Sequence, residues 1–574
     1  MTRPRAGSAA VVLLLAVFVA QCLAFVRANA QTYDEGVTLA AGLRLIETGV
    51  DDVNLEHPPL AKVIVALPVK LFASPKLDVP AWAKRQESGF GLGRDLLYAS
   101  GVPHERLLWL GRAPMLLLAT ALVGLIGLFA WRLWGPRAGL LALVLAAFEP
   151  NLVAHGSLMG LDLPMAFWLT TALFAVHEHV LSARVLWLVV AGLAAGCALA
   201  TKHSGPLLVA AVVVALFAEA LRSGKVTPWW DSATAVTGRF RALVSEAGNV
   251  LLLVGVALVV IRVAVGRSGY EAYLAGMRAQ LAHQAHGHPA FFLGEVSRTG
   301  WVSYFPVALA LKLPPLTLVA AALSLVFARF GARFGSGIPV VLAPALVLCG
   351  SLLFARINIG VRYALPLVPL LIVLGSRVAT LPLSRWASVA LGLGLVHHAI
   401  AALRVAPHDL AFFSDLAGGP ARGHRYLADS NLDWGQDVGG LARWLGEREP
   451  PRRTYLAYFG SADPRAYGVR YRPAPNSCPH PAPWRREPEP PNGRELLAVS
   501  AMNLQGVFFD DPKAYAWLGA RQPVAVIGYS ISVYDITDDL GAHRELERMY
   551  ERWGPGELLA EQRARVRELA GGAP

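Results

Sequence analysis

The sequence predicts a polytopic α-helical membrane protein with about eleven transmembrane helices, followed by a C-terminal soluble α/β domain. Hydrophobic residues make up 55% of the 574 residues and charged residues 16%, against roughly 25% charged in a soluble globular domain. Apolar runs long enough to cross a bilayer recur from residue 8 to residue 404, and the chain is polar after that. This composition excludes a cytosolic enzyme and a disordered chain.

The transmembrane part is predicted over residues 1–404. Its apolar runs lie at 8–26, 107–131, 138–154, 163–181, 185–201, 206–222, 247–266, 304–328, 338–355, 363–378 and 386–404. The first run resembles a signal peptide, because Ala28-Asn29-Ala30 resembles a small-residue cleavage site. It is longer than the apolar part of a usual signal peptide, and we therefore favour a retained anchor.

Positive charges indicate how these spans are oriented. With the N-terminus inside, the short outside connections carry only Lys202, Arg356 and Arg362, and the other Lys and Arg of the short connections lie inside. An odd number of spans places the C-terminus outside. Three long segments then share the outer face, at 28–106, 267–303 and 405–574. The net charge of +12 is spread over the connections, which favours contact with anionic lipid headgroups and argues against nucleic acid.

The C-terminal segment shows the mixed pattern of a small α/β domain. Strand-like runs lie at 453–459, 495–501 and 523–535. Helical patterns lie at 438–445 and 540–553. The Pro-rich stretch 472–492 predicts a loop.

The first extracytoplasmic loop, 28–106, opens on Tyr33-Asp34-Glu35-Gly36 directly after the first span. An adjacent acidic pair at a membrane surface can act as a general base, bind a cation or hold water. The simpler alternative is a solvated helix start, because acidic residues in a first turn interact favourably with the helix dipole. The residues alone leave both alternatives open.

A second motif in this loop is Glu56-His57-Pro58-Pro59-Leu60-Ala61-Lys62. The two prolines fix the backbone and hold the His57 imidazole in place. Lys62 falls in an apolar helix predicted at 60–71, which is too short to span and is predicted to lie in the membrane interface. Without a ligand, such a helix would simply carry snorkelling lysines.

Three charged residues accompany the outer ends of later spans. Asp162 stands two residues before Pro164, a position that is also typical of an ordinary helix cap. Lys202 and Arg362 are isolated cations in short outer connections. A phosphate held at the membrane surface would explain them.

Two further features of the sequence are a His cluster in the second loop and a lysine inside a predicted span. His283, His286 and His288 form a compact cluster in the second extracytoplasmic loop, 267–303, which could bind a metal, although short His-rich loops more often carry none. Lys312 lies inside a predicted span, where an ammonium is costly without polar contacts. The two prolines that follow it predict a distorted helix.

Acids and cations therefore converge on one side of a membrane protein, which suits chemistry on a lipid-linked anionic substrate. A transporter would more typically place such groups near the midplane. These motifs resemble the integral-membrane glycosyltransferases of the GT-C fold, in particular the protein O-mannosyltransferase and aminoarabinose transferase group, glycosyltransferase family 39. The resemblance rests on Tyr33-Asp34-Glu35, His57-Pro58-Pro59-Leu60-Ala61-Lys62, Asp162 and Thr201-Lys202-His203-Ser204-Gly205, and it covers residues 8–404.

The resemblance implies transfer of a sugar from a polyprenyl-phosphate donor, with inversion and release of polyprenyl phosphate. Asp34 would deprotonate the acceptor hydroxyl. Glu35 would support the loop or the acceptor. Asp162 would hold the acceptor or the sugar.

The resemblance also implies a site for the leaving phosphate. Lys62, Lys202 and Arg362 would neutralise the charge that develops there. His57 would orient these cations or bond the phosphate. Because the donor carries a single phosphate, we expect no obligatory metal and no other cofactor, although a divalent ion is compatible with the site.

Residues 358–366 and the run Asp429-Ser430-Asn431-Leu432-Asp433-Trp434-Gly435-Gln436-Asp437 look like features of bacterial members of the group. Asp429, Asp433, Trp434 and Gln436 could contact a glycan acceptor, since an indole face stacks on sugar C–H groups. The alternative, a buried Trp in a turn with capping aspartates, carries slightly more weight.

The chain departs from the eukaryotic members of the group, because it lacks their β-trefoil insert and has a short second loop. The acceptor, whether protein, lipid or glycan, and the sugar therefore stay open. The absence of any Asn-x-Ser/Thr sequon favours a bacterial cytoplasmic membrane. Two alternatives remain: a polyprenyl-lipid transporter or flippase, and a non-catalytic assembly subunit, which would be expected to have lost the acid pair.

Overall fold

The computed structural model describes residues 3–76, 89–231, 233–327, 337–447, 453–476, 494–554 and 556–571. Helices dominate as far as residue 405. They are α1 (Arg3–Ala28), α2 (Glu35–Thr48), α3 (Pro59–Phe72), α4 (Gly89–Ala99), α5 (His104–Trp134), α6 (Pro136–Ala147), α7 (Pro150–Gly156), α8 (Asp162–Ser182), α9 (Val185–Thr201), α10 (Gly205–Ser223), α11 (Arg239–Val265), α12 (Gly269–His286), α13 (Tyr304–Lys312), α14 (Pro315–Val326), α15 (Ile338–Leu353), α16 (Leu367–Ser376) and α17 (Arg385–Val405). Two antiparallel hairpins interrupt them, β1 (Lys225–Val226) with β2 (Val236–Thr237) and β3 (Ala290–Phe292) with β4 (Glu295–Ser297).

Among the described residues, five helices are long and apolar enough to cross a membrane, and up to seven if each of two bent helix pairs counts as one span. Three further apolar helices are shorter than these. The fold is that of a multi-pass helical membrane protein, as predicted. The number of eleven spans stays a prediction.

Two of the predicted spans are broken helices. The run 138–154 divides into α6 and α7, which meet at 61°, and the run 304–328 contains α13 and α14, which meet at 114°. Proline causes both breaks, because it lacks the amide hydrogen and forces the preceding residue into an extended conformation. Leu313 before Pro314 accordingly has ψ 144°. The distorted helix predicted at Lys312 is confirmed.

The described residues of the first long loop, 28–76 and 89–106, contain helices that pack on one another. The helix predicted at 60–71 is confirmed as α3, with Pro59 at its first position, where a missing amide hydrogen costs nothing. α2 crosses α3 at Gly42, where a Cβ would overlap the carbonyl of Lys62. This close approach requires glycine and places the middle of α2 beside the first half of α3.

The C-terminal part contains a five-stranded mixed sheet. Its strands are β5 (Arg453–Ala457), β6 (Arg472–Pro473), β7 (Glu495–Ser500), β8 (Ala525–Ile527) and β9 (Ile531–Asp535), and their spatial order is β6-β5-β7-β9-β8. The β5–β6 and β5–β7 pairs are parallel, and the β7–β9 and β8–β9 pairs are antiparallel. The accompanying helices are α18 (Val438–Gly446), α19 (Ala501–Leu504), α20 (Leu540–Trp553) and α21 (Gly556–Leu569).

The predicted strands at 453–459 and 495–501 and both predicted helices occur. The run 523–535 was expected to be one strand and is a hairpin, because Gly528 and Tyr529 adopt positive φ values of 55° and 68° and reverse the chain. The predicted loop at 472–492 begins with β6. Its residues from 477 onward lie outside the described part of the chain.

The segment that joins α17 to the sheet packs into the helical part instead of forming a linker. Lys312 is fully buried and donates to the backbone carbonyls of Leu410 and Asn431 at 2.8 and 2.6 Å. The amides of Ala30 and Tyr33 donate to the carbonyls of Gln436 and Trp434 at 2.8 and 2.9 Å. The backbone just after α1 therefore pairs with the backbone of residues 434–436.

Candidate active site

The two acids of the Asp34-Glu35 pair point in different directions. Asp34 precedes the first turn of α2, its side chain is 36% exposed, and its Oδ2 accepts a hydrogen bond of 3.2 Å from Arg362 Nη1. No partner is found for its Oδ1 among the described residues. We call Asp34 and Arg362 the open pair. One carboxylate oxygen of this pair is available to a ligand.

Glu35 is enclosed. Its two oxygens accept from Arg112 Nε and Nη2 at 2.8 and 2.6 Å, and both side chains are 2% exposed. The same oxygens accept from the amides of Thr32 and Met159 at 2.8 and 3.1 Å. We call Glu35 and Arg112 the buried clamp. Arg112 also donates to the carbonyls of Asn29 and Ala30, so the clamp fixes the backbone that carries Asp34.

Arg362 lies between aromatic side chains. Its guanidinium carbon is 4.3 Å from the centre of the Trp434 ring and 5.6 Å from that of Tyr363. Such contacts hold a guanidinium in place while leaving its hydrogen-bond donors free. Arg362 Nε is buried and has no hydrogen-bond partner. Within the described structure it is an unused donor at the centre of the site.

Lys202 and Asp162 form a second ion pair, whose cation also lies over the ring of Tyr363. Lys202 Nζ is 2.5 Å from Asp162 Oδ1 and 4.3 Å from the centre of the Tyr363 ring. Both residues line a cavity of about 280 Å³ between α8, α10 and α15. The rest of its lining is mostly apolar and includes Leu207 and Leu348. We call it the lipid-side cavity, because its apolar lining comes from membrane helices.

His57 and Lys62 occupy different places. Burial first, and then the charges of Lys202, Lys62 and Arg362, lower the pKa of His57 to about 3. His57 therefore carries a neutral imidazole near the site, and its Nδ1 has no partner. Lys62 is fully buried, with Nζ 2.6 Å from Asp51, and it also donates to the carbonyl of Asn54. The structure does not bring the Lys62 ammonium to the cavity.

A turn of the C-terminal part forms the remaining wall. We call residues 429–437 the tail turn. Asn431 Oδ1 accepts the amide of Val361 at 2.9 Å, and Ser430 Oγ donates to the carbonyl of Ile359 at 2.7 Å. A Cβ on Gly360 would overlap the Ser430 hydroxyl, so a glycine is required where the two segments meet. These contacts fix the backbone immediately before Arg362.

The four predicted acceptor residues all lie in the tail turn, but they differ in availability. Asp433 Oδ2 accepts the Met502 amide, and Gln436 bonds within the turn, so both support its shape. Burial raises the pKa of Asp433 to about 8. Trp434 stacks on the guanidinium of the open pair. Asp429 has φ 57° and lies near that guanidinium, whose charge opposes the effect of burial, which raises the Asp429 pKa to about 7.

The His cluster lies at the edge of the site. His283 Nε2 and His288 Nδ1 are 3.2 Å apart, while His286 bonds the carbonyl of Ala282. Burial lowers the pKa of His288 to about 4, with the charges of His283 and Arg362 acting in the same direction. Among the described residues, no group of three or more His, Cys, Asp or Glu side chains could hold a metal ion.

Sequence reasoning missed Arg112, the partner of Glu35. The signal was present, because an arginine inside an apolar run is costly and requires a partner. It also missed Tyr363, whose ring lies close to the cations of both ion pairs. The pairing of first loop and tail turn had no local signal.

Residues 105–239 match the family of dolichyl-phosphate-mannose-protein mannosyltransferases. The matched segment begins in α5 and contains Arg112, Asp162 and Lys202. No curated protein gives a significant match. The family match confirms the resemblance drawn from the motifs, and the chain is a membrane glycosyltransferase.

Solved structures of two glycosyltransferases are similar to this chain at low sequence identity. ArnT from Cupriavidus metallidurans bound to undecaprenyl phosphate is 15% identical with a TM-score of 0.46, over 91% of this chain and 97% of that chain. The apo state of the same enzyme is 16% identical with a TM-score of 0.48, over 92% of this chain and 98% of that chain. The oligosaccharyltransferase AglB from Archaeoglobus fulgidus, in complex with an inhibitory peptide and a dolichol-phosphate, is 13% identical with a TM-score of 0.41, over 76% and 58%.

Proposed function

We propose that this protein transfers a sugar from a polyprenyl-phosphate donor to an acceptor hydroxyl at the outer surface of a membrane, with inversion at the anomeric carbon. One observation carries the proposal. The cations of the open pair and of the Lys202–Asp162 pair both lie over the ring of Tyr363, and Lys202 lines a largely apolar cavity. This arrangement supports a base and a phosphate site next to a route for a lipid chain.

The donor occupies the lipid-side cavity. Its isoprenoid chain lies against the apolar lining, and its phosphate meets Lys202 and the free Nε of Arg362. Lys202 has three donors and shares them between Asp162 and the phosphate. Arg362 bonds Asp34 through Nη1 and therefore retains Nε for the phosphate.

In the reaction, Asp34 accepts the proton of the acceptor hydroxyl through its free oxygen. The acceptor oxygen forms a bond to the anomeric carbon while the bond from that carbon to the phosphate oxygen breaks. The electron pair leaves with polyprenyl phosphate, and Lys202 and Arg362 stabilise the charge that develops there. Attack on the face opposite the phosphate inverts the anomeric carbon.

The remaining predicted residues take different roles. Glu35 acts through the buried clamp as a positioning residue for Asp34. Asp162 orients Lys202 and holds a sugar hydroxyl. The neutral imidazole of His57 forms a hydrogen bond at the phosphate. Lys62 fixes the loop around Asp51 and supports the phosphate site indirectly.

The acceptor approaches from the side of the tail turn, where Asp429 and Trp434 border the open pair. Asp433 and Gln436 support this wall from within. The acceptor is a protein, lipid or glycan hydroxyl; an inhibitory peptide is bound in the similar AglB. Transfer from a monophosphate requires no metal in this scheme.

The membrane arrangement belongs to the same proposal. Eleven spans, with the positive charges inside, place residues 405–574 and the site in the extracytoplasmic space of a bacterial cytoplasmic membrane. The domain boundary at 404/405 is then a topological one, since the tail turn packs into the helical part. A reporter that is active only in the cytoplasm, fused after residue 574, should stay silent.

The decisive experiment supplies purified protein in nanodiscs with synthetic polyprenyl-phosphate mannose or aminoarabinose and a cell-envelope extract. Release of polyprenyl phosphate together with an inverted glycoside supports the proposal. Lipid movement across a liposome membrane without release would instead favour a flippase. Mass spectrometry of glycans and glycoproteins from a deletion strain identifies the acceptor.

A further inference from the structure

A second cavity of about 320 Å³ lies away from the catalytic centre, between α17 and residues 412–421. We call it the α17 groove. One wall is formed by His397, Ile400 and Arg404 of α17, and the other includes Phe412 and Asp415. It shares no lining residue with the lipid-side cavity.

The groove opens toward the bilayer. α17 is an apolar helix of 21 residues with only 11% of its most apolar window buried in the protein. Leu393 and Val396, one or two turns before the groove, are 66% and 57% exposed. Such an apolar surface on a spanning helix is covered by lipid chains. Arg404 lies in the last turn of α17, where the polar headgroups begin.

The charge of the groove favours an anion. Arg404 is exposed and has no hydrogen bond or ion pair with any described residue. His397 Nε2 lies 2.7 Å from Asp415 Oδ2, so the one carboxylate of the lining already has a partner. Arg422, directly after the wall residues 412–421, is also exposed. The unpaired cations therefore outnumber the unpaired acids at this opening.

We propose that the α17 groove is a binding site for an anionic glycerophospholipid. The phosphodiester is bound by the Arg404 guanidinium, and one acyl chain lies along Ile400 and Phe412. The polyprenyl-phosphate donor is a different ligand, because its phosphate site is at Lys202. The inference is independent of the proposed sugar transfer.

The groove wall is connected to the catalytic centre by direct contacts. The ring centre of Phe413, next to Phe412, is 4.5 Å from Lys312 Nζ, and Lys312 holds the carbonyl of Asn431. Asn431 in turn accepts the amide of Val361, the residue before Arg362. A lipid that orders the wall therefore also stabilises the tail turn, and it raises the thermal stability of the protein.

The test is native mass spectrometry of the full chain, with phosphatidylglycerol or phosphatidylcholine added at equal concentration. We expect one phosphatidylglycerol retained per chain, and weaker retention of phosphatidylcholine. Arg404→Gln should reduce retention of phosphatidylglycerol about tenfold or more, as expected for loss of a hydrogen bond to a charged group. Arg385→Gln is the matched control, because Arg385 is also exposed and lies at the opposite end of the same helix.

A second variant covers the case in which Arg404→Gln does not fold. Ile400→Trp fills the groove and keeps the cation, and it should also abolish retention of phosphatidylglycerol. Equal retention of both lipids, equal effects of the Arg404 and Arg385 variants, or displacement of phosphatidylglycerol by undecaprenyl phosphate would each overturn the proposal. Because binding is measured without sugar donor, failure here leaves the proposed transfer reaction untouched.

Discussion

The buried clamp and the open pair are built from the same chemical groups and begin at adjacent residues. Glu35 and Arg112 are each 2% exposed and satisfy one another together with backbone groups, whereas Asp34 is 36% exposed and shares only one contact with Arg362. A carboxylate whose oxygens are all engaged can hold a loop. A carboxylate with a free oxygen can accept a proton. Availability of hydrogen-bonding atoms, more than residue type, therefore separates a positioning carboxylate from a reactive one.

The largest expected effect concerns the clamp. Arg112→Met leaves the Glu35 carboxylate buried without its counter-ion, which costs about 3–5 kcal/mol when one partner of a buried pair is removed. The loss is measured as the difference in free energy of unfolding between the purified variant and the wild type in detergent. The control is Arg106→Met, six residues earlier in α5 and at the surface. Equal loss of stability in the two variants would contradict a larger contribution of the buried clamp to the stability of the protein.

Asp34→Asn tests the open pair. It keeps the shape and a hydrogen bond to Arg362 but removes the base, so turnover should fall about 10²-fold or more. Stability should change by less than about 0.5 kcal/mol, as for an exposed residue. Transfer from a synthetic polyprenyl-phosphate sugar is the measurement, and Asp52→Asn in the same loop is the control. Near wild-type turnover would remove Asp34 from the role of base and make Asp162 the next candidate.

Lys202→Ala and Arg362→Ala sharpen the distinction between phosphate contact and proton transfer. Loss of one charged hydrogen bond to the donor phosphate should cost about 1.5–3 kcal/mol. Donor affinity should therefore fall about 10-fold to 150-fold, while acceptor affinity changes less. Arg356→Ala is the control, because Arg356 lies in a connection also predicted to be outside and its side chain bonds, among the described residues, the Ala285 carbonyl alone. If both variants bind polyprenyl-phosphate sugar as the wild type does, the phosphate assignment is wrong.

The smallest effect is a pH dependence from His57. Its pKa is lowered to about 3 in the fold, by burial first and neighbouring cations second, against about 6.5 in an unfolded chain. The unfolded state therefore binds more protons between these values, and stability declines as the pH falls below about 6.5. His57→Gln should decline less between pH 7 and pH 5, whereas the exposed His286→Gln should match the wild type. A His57→Gln profile parallel to the wild type would contradict a neutral buried imidazole.

Local signals in the sequence were sufficient for much of the fold. Apolar runs predicted the membrane helices, because lipid requires long apolar segments with internal hydrogen bonds. The motif around Pro58 and Pro59 predicted the start of α3. The acid pair and the outer cations Lys202 and Arg362 were chosen from sequence, and the structure brings Asp34, Lys202 and Arg362 around Tyr363.

Contacts between residues far apart in the sequence could not be predicted from it. Nothing near Glu35 indicates that Arg112 is its partner, since the two are 77 residues apart. Lys62 looked like a phosphate ligand from its motif, but its burial beside Asp51 depends on how α2 packs on α3. The hairpin within 523–535 depends on two positive φ values at Gly528 and Tyr529, and only the glycine is a usual turn signal.

The pairing of the first loop with the tail turn has a consequence for biosynthesis. Asp34 is made with the first helix, yet the side chain of Gln31 beside it bonds Ser461, which is 430 residues further along the chain. Tyr33 and Ala30 find their backbone partners only in residues 434 and 436. A nascent chain that ends before residue 434 therefore lacks the backbone partners of its first loop and has an incomplete centre. The centre can therefore be completed only after synthesis has passed residue 461.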